Sequence, residues 1–264
     1  MKIDVTASDG VLTIELRDPP ANTYSYEMMR EIDAAILDGR MDASVHVMVL
    51  RGAGERFFCA GADIGMLKDA DPHFKYYFCL HANETLLRLE QTPKLVIAAL
   101  NGHTVGGGLE LALAADLRIA RAGAGKIGLP EVALGVLPGT GGTQRLTRLI
   151  GKAKALELMA TGTLMTFEQA RDTGIVHHVW GEDELKGRSF GEAVHEYARQ
   201  FTPPNKASAA VGRMKRAVQS GAEAGLLEGL SLERELQQLL FQSEDAKEGL
   251  TANLEKRQPR FEGR

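Results

Sequence analysis

Glu110 and Glu131 are the side chains of this sequence that are best suited to acid–base chemistry. Glu110 follows residues 101–108 (NGHTVGGG), which end in three glycines at the expected start of a helix. The unpaired N–H groups of a helix start can stabilise negative charge on a substrate oxygen, and glycines leave those groups accessible. Taken alone, the same glycines are consistent with close helix–strand packing, with Glu110 simply stabilised by the helix N-terminus.

A second glycine-bearing turn favours the catalytic interpretation. Residues 58–64 (FCAGADI) follow an apolar segment and a short polar loop, and they can supply another backbone donor. Glu131 follows Glu110 by one expected helix–strand–turn unit and comes directly after Gly128-Leu129-Pro130. Residues 135–142 then begin a further helix. Two carboxylates near two glycine-rich helix starts form the combination expected for proton transfer next to a carbonyl group.

The elements that must position these turns alternate between strands and helices. Strands are predicted from apolar or alternating runs, at residues 11–16, 45–50, 94–100 and 117–120. Helices are predicted from a helical periodicity of apolar residues, at 26–37, 74–89 and 109–115. Alternation of this kind favours a mainly parallel α/β core.

The chain after Pro203-Pro204 has a different pattern. Residues 206–255 contain no strand candidate and are predicted to be helical. A wide apolar stripe in this region must be covered by the core or by another subunit, and we expect a homo-oligomer. The stripe consists of Leu226, Leu227, Leu230, Leu236, Leu239 and Leu240.

Composition and charge argue against several classes of protein. The 264 residues are 44% hydrophobic and 25% charged, as in a globular domain, and the net charge of −4 lacks the basic excess of nucleic-acid-binding proteins. Only two cysteines occur, Cys59 and Cys79, so we expect a reducing compartment and small buried thiols. Without a signal-peptide run or a membrane span, the sequence predicts a cytoplasmic protein with neither nucleic acid nor membrane as a partner.

Several common site patterns are absent as well. His195-Glu196 begins like a zinc-protease helix, but Arg199 occupies the position of the second histidine. There is no nucleophile-elbow serine, no complete phosphate-binding loop and no dinucleotide fingerprint. His177-His178 lies between valines and is interpreted as a strand edge. The sequence therefore contains no recognisable pattern for a zinc site, a serine hydrolase or a dinucleotide-binding fold.

Four long motifs together resemble those of the crotonase superfamily, and within it enoyl-CoA hydratase. The resemblance covers essentially the whole chain and implies an α/β fold, with a spiral of ββα units at residues 1–200. It also implies a C-terminal helical region at 205–264 that mediates trimerisation, with two trimers commonly stacked as a hexamer. The motifs are AGADI (60–64), NGHTVGGGLELALAADLRIA (101–120), GLPEVALGVLPGTGGTQRL (128–146) and EKRQPRF (255–261).

The resemblance implies roles for individual residues. The N–H groups of Ala62 and Gly107 would form an oxyanion hole for a thioester carbonyl, and Glu110 and Glu131 would be the catalytic glutamates. The residues implied in binding the CoA substrate are Ala60, Gly61, Asp63 and Ile64 at the adenine pocket, Gly108 in the donor turn, Gly139 beside the catalytic water, and Lys256 near the nucleotide phosphates. The sequence departs from the usual pattern at Thr140, where alanine is commoner, and by one extra residue between the glutamates.

The implied reaction is the reversible addition of water to a 2-enoyl-CoA, giving a 3-hydroxyacyl-CoA, as in the degradation of fatty acids or of branched or aromatic acids. Glu110 would take a proton from the water that attacks C3, and Glu131 would deliver one to C2, although a coupled pair leaves the roles open. The CoA thioester is the substrate, and the resemblance implies neither a metal nor a redox cofactor.

Other activities on the same fold remain as alternatives. An enoyl-CoA isomerase usually needs only one carboxylate, so two glutamates favour a hydratase. A CoA-thioester hydrolase could use the same pair, and a hydratase specialised for a branched or sulfur-containing enoyl-CoA is equally compatible. A non-catalytic binding protein is less favoured, because both glutamates and the GGG turn are present.

Overall fold

Ten strands divide between two sheets in the computed structural model, which describes residues 1–264. The strands are β1 (Ile3–Ser8), β2 (Val11–Leu16), β3 (Val47–Gly52), β4 (Phe57–Cys59), β5 (Leu95–Leu100), β6 (His103–Val105), β7 (Leu117–Arg121), β8 (Lys126–Gly128), β9 (Met165–Thr166) and β10 (His178–Trp180). The larger sheet has the order β1-β2-β3-β5-β7-β10, and the smaller has the order β4-β6-β8-β9. All neighbours are parallel except β1 with β2 and β8 with β9.

Twelve α-helices connect and cover the sheets. They are α1 (Tyr26–Met41), α2 (Ile64–Asp69), α3 (Pro72–Glu90), α4 (Gly107–Leu113), α5 (Gly142–Ile150), α6 (Lys152–Thr161), α7 (Phe167–Asp172), α8 (Glu182–Leu185), α9 (Phe190–Arg199), α10 (Ser208–Ala222), α11 (Leu226–Phe241) and α12 (Glu244–Leu254). A 3-10 turn spans Glu131–Leu134. No helix is both long and apolar enough to cross a membrane.

The chain passes three times from the larger sheet straight into the smaller one, through β3 to β4, β5 to β6 and β7 to β8. A helical segment follows each pair, so the architecture is a series of ββα units. The predicted α/β class, mainly parallel strands and spiral arrangement are confirmed. The turns that leave β4, β6 and β8 therefore lie side by side at one end of the smaller sheet, because its strands pair in that order.

The apolar run at residues 45–50 shows why the larger sheet is buried on both faces. Met48 and Leu50 of β3 lie in a core cluster of 39 residues shared with α1 and α3. Val47 and Val49 point the other way, into a cluster of nine that includes Val194 of α9. Since successive side chains alternate between the faces of a strand, an uninterrupted apolar run is the pattern such a strand requires.

The C-terminal segment is helical, as the sequence predicts. It is anchored by Lys215 of α10, whose buried ammonium group lies 2.9 Å from a carboxylate oxygen of Asp116. The leucine stripe is only partly covered, because Leu236 is buried whereas Leu226 and Leu227 are 80% and 71% exposed. The proposed division at residues 200–205 stays a prediction.

Candidate active site

The turn after β4 presents the backbone of Ala62. Tyr24 and Ala62 form a parallel bridge, in which Tyr24 N–H donates to the Gly61 carbonyl (2.9 Å) and Asp63 N–H donates to the Tyr24 carbonyl (3.1 Å). In a parallel pair the residue between these two bonds directs its own N–H to the opposite side. The N–H of Ala62 is thus left pointing away from the strand that fixes it.

The turn after β6 presents the N–H of Gly107. Gly106 has a φ of +58°, a conformation that favours glycine, and its carbonyl accepts from Leu109 N–H (2.8 Å) as α4 begins. Gly107 opens that helix, where N–H groups have no intrahelical partner. A Cβ at Gly61 would lie 2.9 Å from the Gly107 nitrogen, so the two donor turns are in contact.

The glycines of this turn are required by close packing. A Cβ at Gly107 would overlap the hydroxyl of Tyr24, and one at Gly108 would overlap the carbonyl oxygen of Cys59. Cys59 is fully buried, and burial raises the pKa of its thiol to about 12. The prediction of a small buried thiol is confirmed for Cys59, whereas Cys79 is only partly buried.

Glu110 is held by the start of α5. The side chain is only 2% exposed, and its Oε1 accepts from the N–H groups of Thr140 (2.8 Å) and Gly142 (2.7 Å). The Thr140 hydroxyl donates to Oε2. Three donors therefore hold this carboxyl group in a fixed orientation.

Glu131 lies beside the Gly106 turn, in a different environment from Glu110. Its Oε1 would be 3.2 Å from a Cβ at Gly106, and its buried Oε2 has no hydrogen-bond partner. Burial raises the pKa of this carboxyl to about 7, with a further contribution from the charge of Glu110, although the backbone N–H of Glu131 acts in the opposite direction. The two glutamates therefore differ in environment in the way that separates an acid from a base.

The structure brings most of the residues singled out in the sequence to one place. Gly61, Gly107, Gly108 and the two glutamates surround the contact between the donor turns, as described above. Gly139 lies beside α3, because a Cβ there would be 3.1 Å from the Cys79 sulfur.

The segment at residues 60–64 also forms hydrogen bonds that stabilise the local fold. Ala60 N–H donates to the Ala21 carbonyl (3.1 Å), and Asp63 caps α2 by accepting from Met66 N–H (2.7 Å). Ile64 opens that helix with its side chain exposed. Hydrogen bonds therefore fix the backbone of this segment, and its side chains are partly or fully accessible at Ala60, Asp63 and Ile64.

Lys256 does not lie beside these groups within one chain. It follows α12 with an exposed side chain that forms no ion pair, and no hydrogen bond joins residues 255–264 to the segments around either glutamate. The tail instead packs near His46, at the start of β3, and Phe261 N–H donates to the Pro204 carbonyl (3.3 Å).

Two side chains at the site were not singled out as functional from the sequence. The hydroxyl of Tyr24 lies 3.2 Å from that of Thr140, and both residues are buried. Burial and the charge of Glu110 raise the pKa of Tyr24 well above its usual value, so the phenol keeps its proton. No spacing rule could reveal this pair, because the two residues are 116 positions apart.

Comparison with known proteins agrees with this geometry. A model of the enoyl-CoA hydratase/isomerase family matches residues 6–264. A probable enoyl-CoA hydratase of Bacillus subtilis is 37% identical over 99% of this chain and 98% of its own length, and the short-chain-enoyl-CoA hydratase of Clostridium acetobutylicum is 36% identical over 94% and 92%. A solved enoyl-CoA hydratase of Geobacillus kaustophilus superposes with a TM-score of 0.94 at 48% identity, covering 100% of this chain and 97% of that one. The chain therefore belongs to the enoyl-CoA hydratase/isomerase family.

Proposed function

We propose that this protein is an enoyl-CoA hydratase, which adds water reversibly across the double bond of a 2-enoyl-CoA. The observation that carries the proposal is the pair of unlike carboxyls, Glu110 in the first turn of α4 and Glu131 beside the Gly106 turn that begins this helix. An isomerase moves one proton between two carbons and can use a single carboxyl group. Two carboxyls in different environments suit a reaction that removes a proton from water and delivers another to carbon.

The mechanism follows from what each group can offer. The thioester oxygen would accept from the N–H groups of Ala62 and Gly107, which stabilise the enolate-like charge that develops when water attacks C3. Each such donor contributes about 3 kcal/mol in comparable sites. Glu110, already facing three donors, would take the proton from water, and Glu131 would deliver one to C2. The substrate is the CoA thioester itself, and this chemistry requires neither a metal nor a redox cofactor.

The pH dependence tests the assignment of the acid. A carboxyl whose pKa is about 7 is protonated below that pH and ionised above it. If Glu131 is the acid, the enzyme should lose its active, protonated form as pH rises through about 7. The value of kcat/KM for hydration should then fall about tenfold per further pH unit. A kcat/KM that instead increases through this range would make Glu131 the base.

The proposed activity is tested by incubation with crotonyl-CoA, with two signals followed together. Hydration should remove the absorbance of the conjugated enoyl thioester without releasing free thiol. Release of CoA thiol in step with the absorbance loss would indicate a thioester hydrolase. No change in either signal, with a 3-enoyl-CoA converted to the conjugated form, would indicate an isomerase.

The exposed leucine stripe supports a further proposal, that the chain assembles at least as a trimer through residues 205–264. Leu226, Leu227, Leu230 and Leu239 are exposed on α11 in one chain. An apolar surface of this kind is typical of a subunit interface. Light scattering at micromolar concentration should give at least three times the chain mass, and a monomer would contradict the proposal.

Lys256 is proposed to contact the phosphates of the CoA nucleotide. Because Lys256 does not lie at the site of its own chain, this contact would be made with a substrate bound to a neighbouring subunit of the oligomer. Lys256→Ala should raise KM for CoA thioesters several-fold and leave kcat nearly unchanged, since an exposed, screened charge contributes uniform binding. The effect should shrink with salt and vanish for a pantetheine thioester. Lys154→Ala, which removes an exposed lysine of α6, is the control. An equal loss with the pantetheine substrate would show that Lys256 acts through folding or assembly.

A further inference from the structure

The hydrogen bonds to Glu110 leave one acceptor position open. A carboxylate oxygen accepts about two hydrogen bonds, and Oε1 already accepts from two backbone N–H groups, those of Thr140 and Gly142. Oε2 accepts from the Thr140 hydroxyl, which leaves its second lone pair unoccupied by protein donors. The atom of Glu110 that can receive a proton from water is therefore Oε2, and its direction is set by Thr140.

The hydroxyl of Thr140 is itself oriented by Tyr24. An ionised carboxylate can only accept, so the single proton of the Thr140 hydroxyl is committed to Glu110. The phenol of Tyr24 keeps its proton and lies 3.2 Å from the Thr140 oxygen, so Tyr24 donates to Thr140. The order of donation is thus from Tyr24 to Thr140 to Glu110, and such chains strengthen each bond by polarisation.

Tyr24 also fixes both backbone-donor turns. Its main chain pairs with Gly61 and Asp63 on either side of Ala62, and its ring occupies the space that a side chain at Gly107 would need. One buried residue therefore contacts the two turns that would bind the thioester oxygen and, through Thr140, the carboxylate that would activate water.

We propose that Tyr24 and Thr140 are positioning residues, which act as a hydroxyl pair to aim Oε2 of Glu110 at the attacking water. The inference rests on the proposed hydratase function and adds to it the groups that orient the base. It also explains why threonine at position 140, where the resemblance leads one to expect alanine, is compatible with this chemistry: the backbone N–H is kept, and the hydroxyl adds a third donor to Glu110.

The kinetic test compares Thr140→Val, which keeps the shape and loses the hydroxyl, with Thr140→Ser, which keeps the hydroxyl. Thr140→Val should lower kcat for crotonyl-CoA hydration about tenfold or more, the scale of a hydrogen bond to a charged group. KM should change less than about twofold, because substrate contacts are retained. Thr140→Ser should restore most of the lost kcat. Thr85→Val removes a buried hydroxyl of α3 that has no hydrogen-bond partner, and it should leave kcat unchanged.

A double-mutant cycle tests whether Tyr24 acts through Thr140. Tyr24→Phe alone should lower kcat by a smaller factor than Thr140→Val. When both substitutions are combined, the loss should equal that of Thr140→Val alone, because the phenol then has no hydroxyl to orient. If the two single-variant losses of kcat multiply in the double variant, Tyr24 does not act through Thr140 and the proposal is overturned. A failure of Thr140→Ser to recover activity would overturn it as well.

A measurement that does not depend on turnover separates this inference from the proposed function. The ¹³C resonance of the Glu110 side-chain carboxyl, assigned by its loss in Glu110→Gln, should shift in Thr140→Val and return towards wild type in Thr140→Ser. Wild-type protein that fails to hydrate any enoyl-CoA but gives this pattern would contradict the hydratase function and leave the hydroxyl pair standing. A resonance that is the same in wild type and Thr140→Val would overturn the proposed role of the hydroxyl pair in positioning Glu110. If Thr140→Val does not fold, Tyr24→Phe and Thr140→Ser are compared by the same resonance.

Discussion

Glu110→Gln and Glu131→Gln should each lower the turnover of enoyl-CoA hydration at least about 100-fold, the scale of a positioned acid or base. Glutamine keeps the shape of each side chain but cannot exchange a proton at neutral pH. At position 110 the amide oxygen can still accept from the N–H groups of Thr140 and Gly142, while the Thr140 hydroxyl can turn to accept from the amide NH₂. The loss is therefore expected to be chemical, with the fold retained.

Stability provides the control for the Glu131 substitution. The pKa of Glu131 is raised by folding to about 7 from an ordinary value of 4.5, so the folded state binds the proton more tightly than the unfolded state. The free energy of unfolding consequently decreases as pH rises from about 4.5 to about 7, because ionisation is easier in the unfolded chain. Glu131→Gln removes this cost, and urea unfolding above pH 7 should find the variant at least as stable as wild type. Wild-type turnover in either variant would remove that glutamate from the mechanism.

Gly107→Ala should also abolish most activity, by at least about 100-fold, the scale reported for loss of one oxyanion donor. The added methyl group would overlap the Tyr24 hydroxyl and its ring carbons. Relief requires either the donor turn or Tyr24 to move, and both movements disturb the site that would bind the thioester oxygen. The expected pattern is a large loss of kcat, measured on crotonyl-CoA with the variant shown to be folded by circular dichroism.

Gly54→Ala is the matched control for this glycine. Gly54 has a φ of +73° and no atom near a Cβ placed on it, so alanine costs stability through the backbone alone. It should destabilise the protein by about 1 kcal/mol and leave turnover unchanged. If Gly107→Ala behaves like Gly54→Ala, the contact between Tyr24 and the donor turn has no role in catalysis.

The central strands were predictable because burial on both faces leaves a direct pattern in the sequence. The apolar run that contains Val47 and Leu50 requires a strand with covered faces, and the structure provides one. The strand β1 was not predicted, since most of its side chains are exposed and its pairing depends on the hairpin turn at Asp9-Gly10. A solvated edge strand needs no apolar run, so its sequence carries little signal.

The candidate site was predictable to the extent that it is built from local features. Each glutamate lies a few residues from the glycine turn that accompanies it, so a short window of sequence contains both. The pairing of Tyr24 with Thr140 joins the segment before α1 to the segment before α5, and no local window contains both. The same holds for the raised pKa of Glu131, because burial is a property of the assembled fold.

Mass spectrometry of crotonyl-CoA turned over in H₂¹⁸O tests directly whether Glu110 and Glu131 add water to the double bond of a CoA thioester. The product should be 3-hydroxybutyryl-CoA with one oxygen-18 at C3 and the thioester bond intact. Both Glu110→Gln and Glu131→Gln should fail to form it at a comparable rate. Oxygen-18 found instead in the carboxylate of free crotonic acid, with CoA released, would show that the protein hydrolyses the thioester and does not hydrate the double bond.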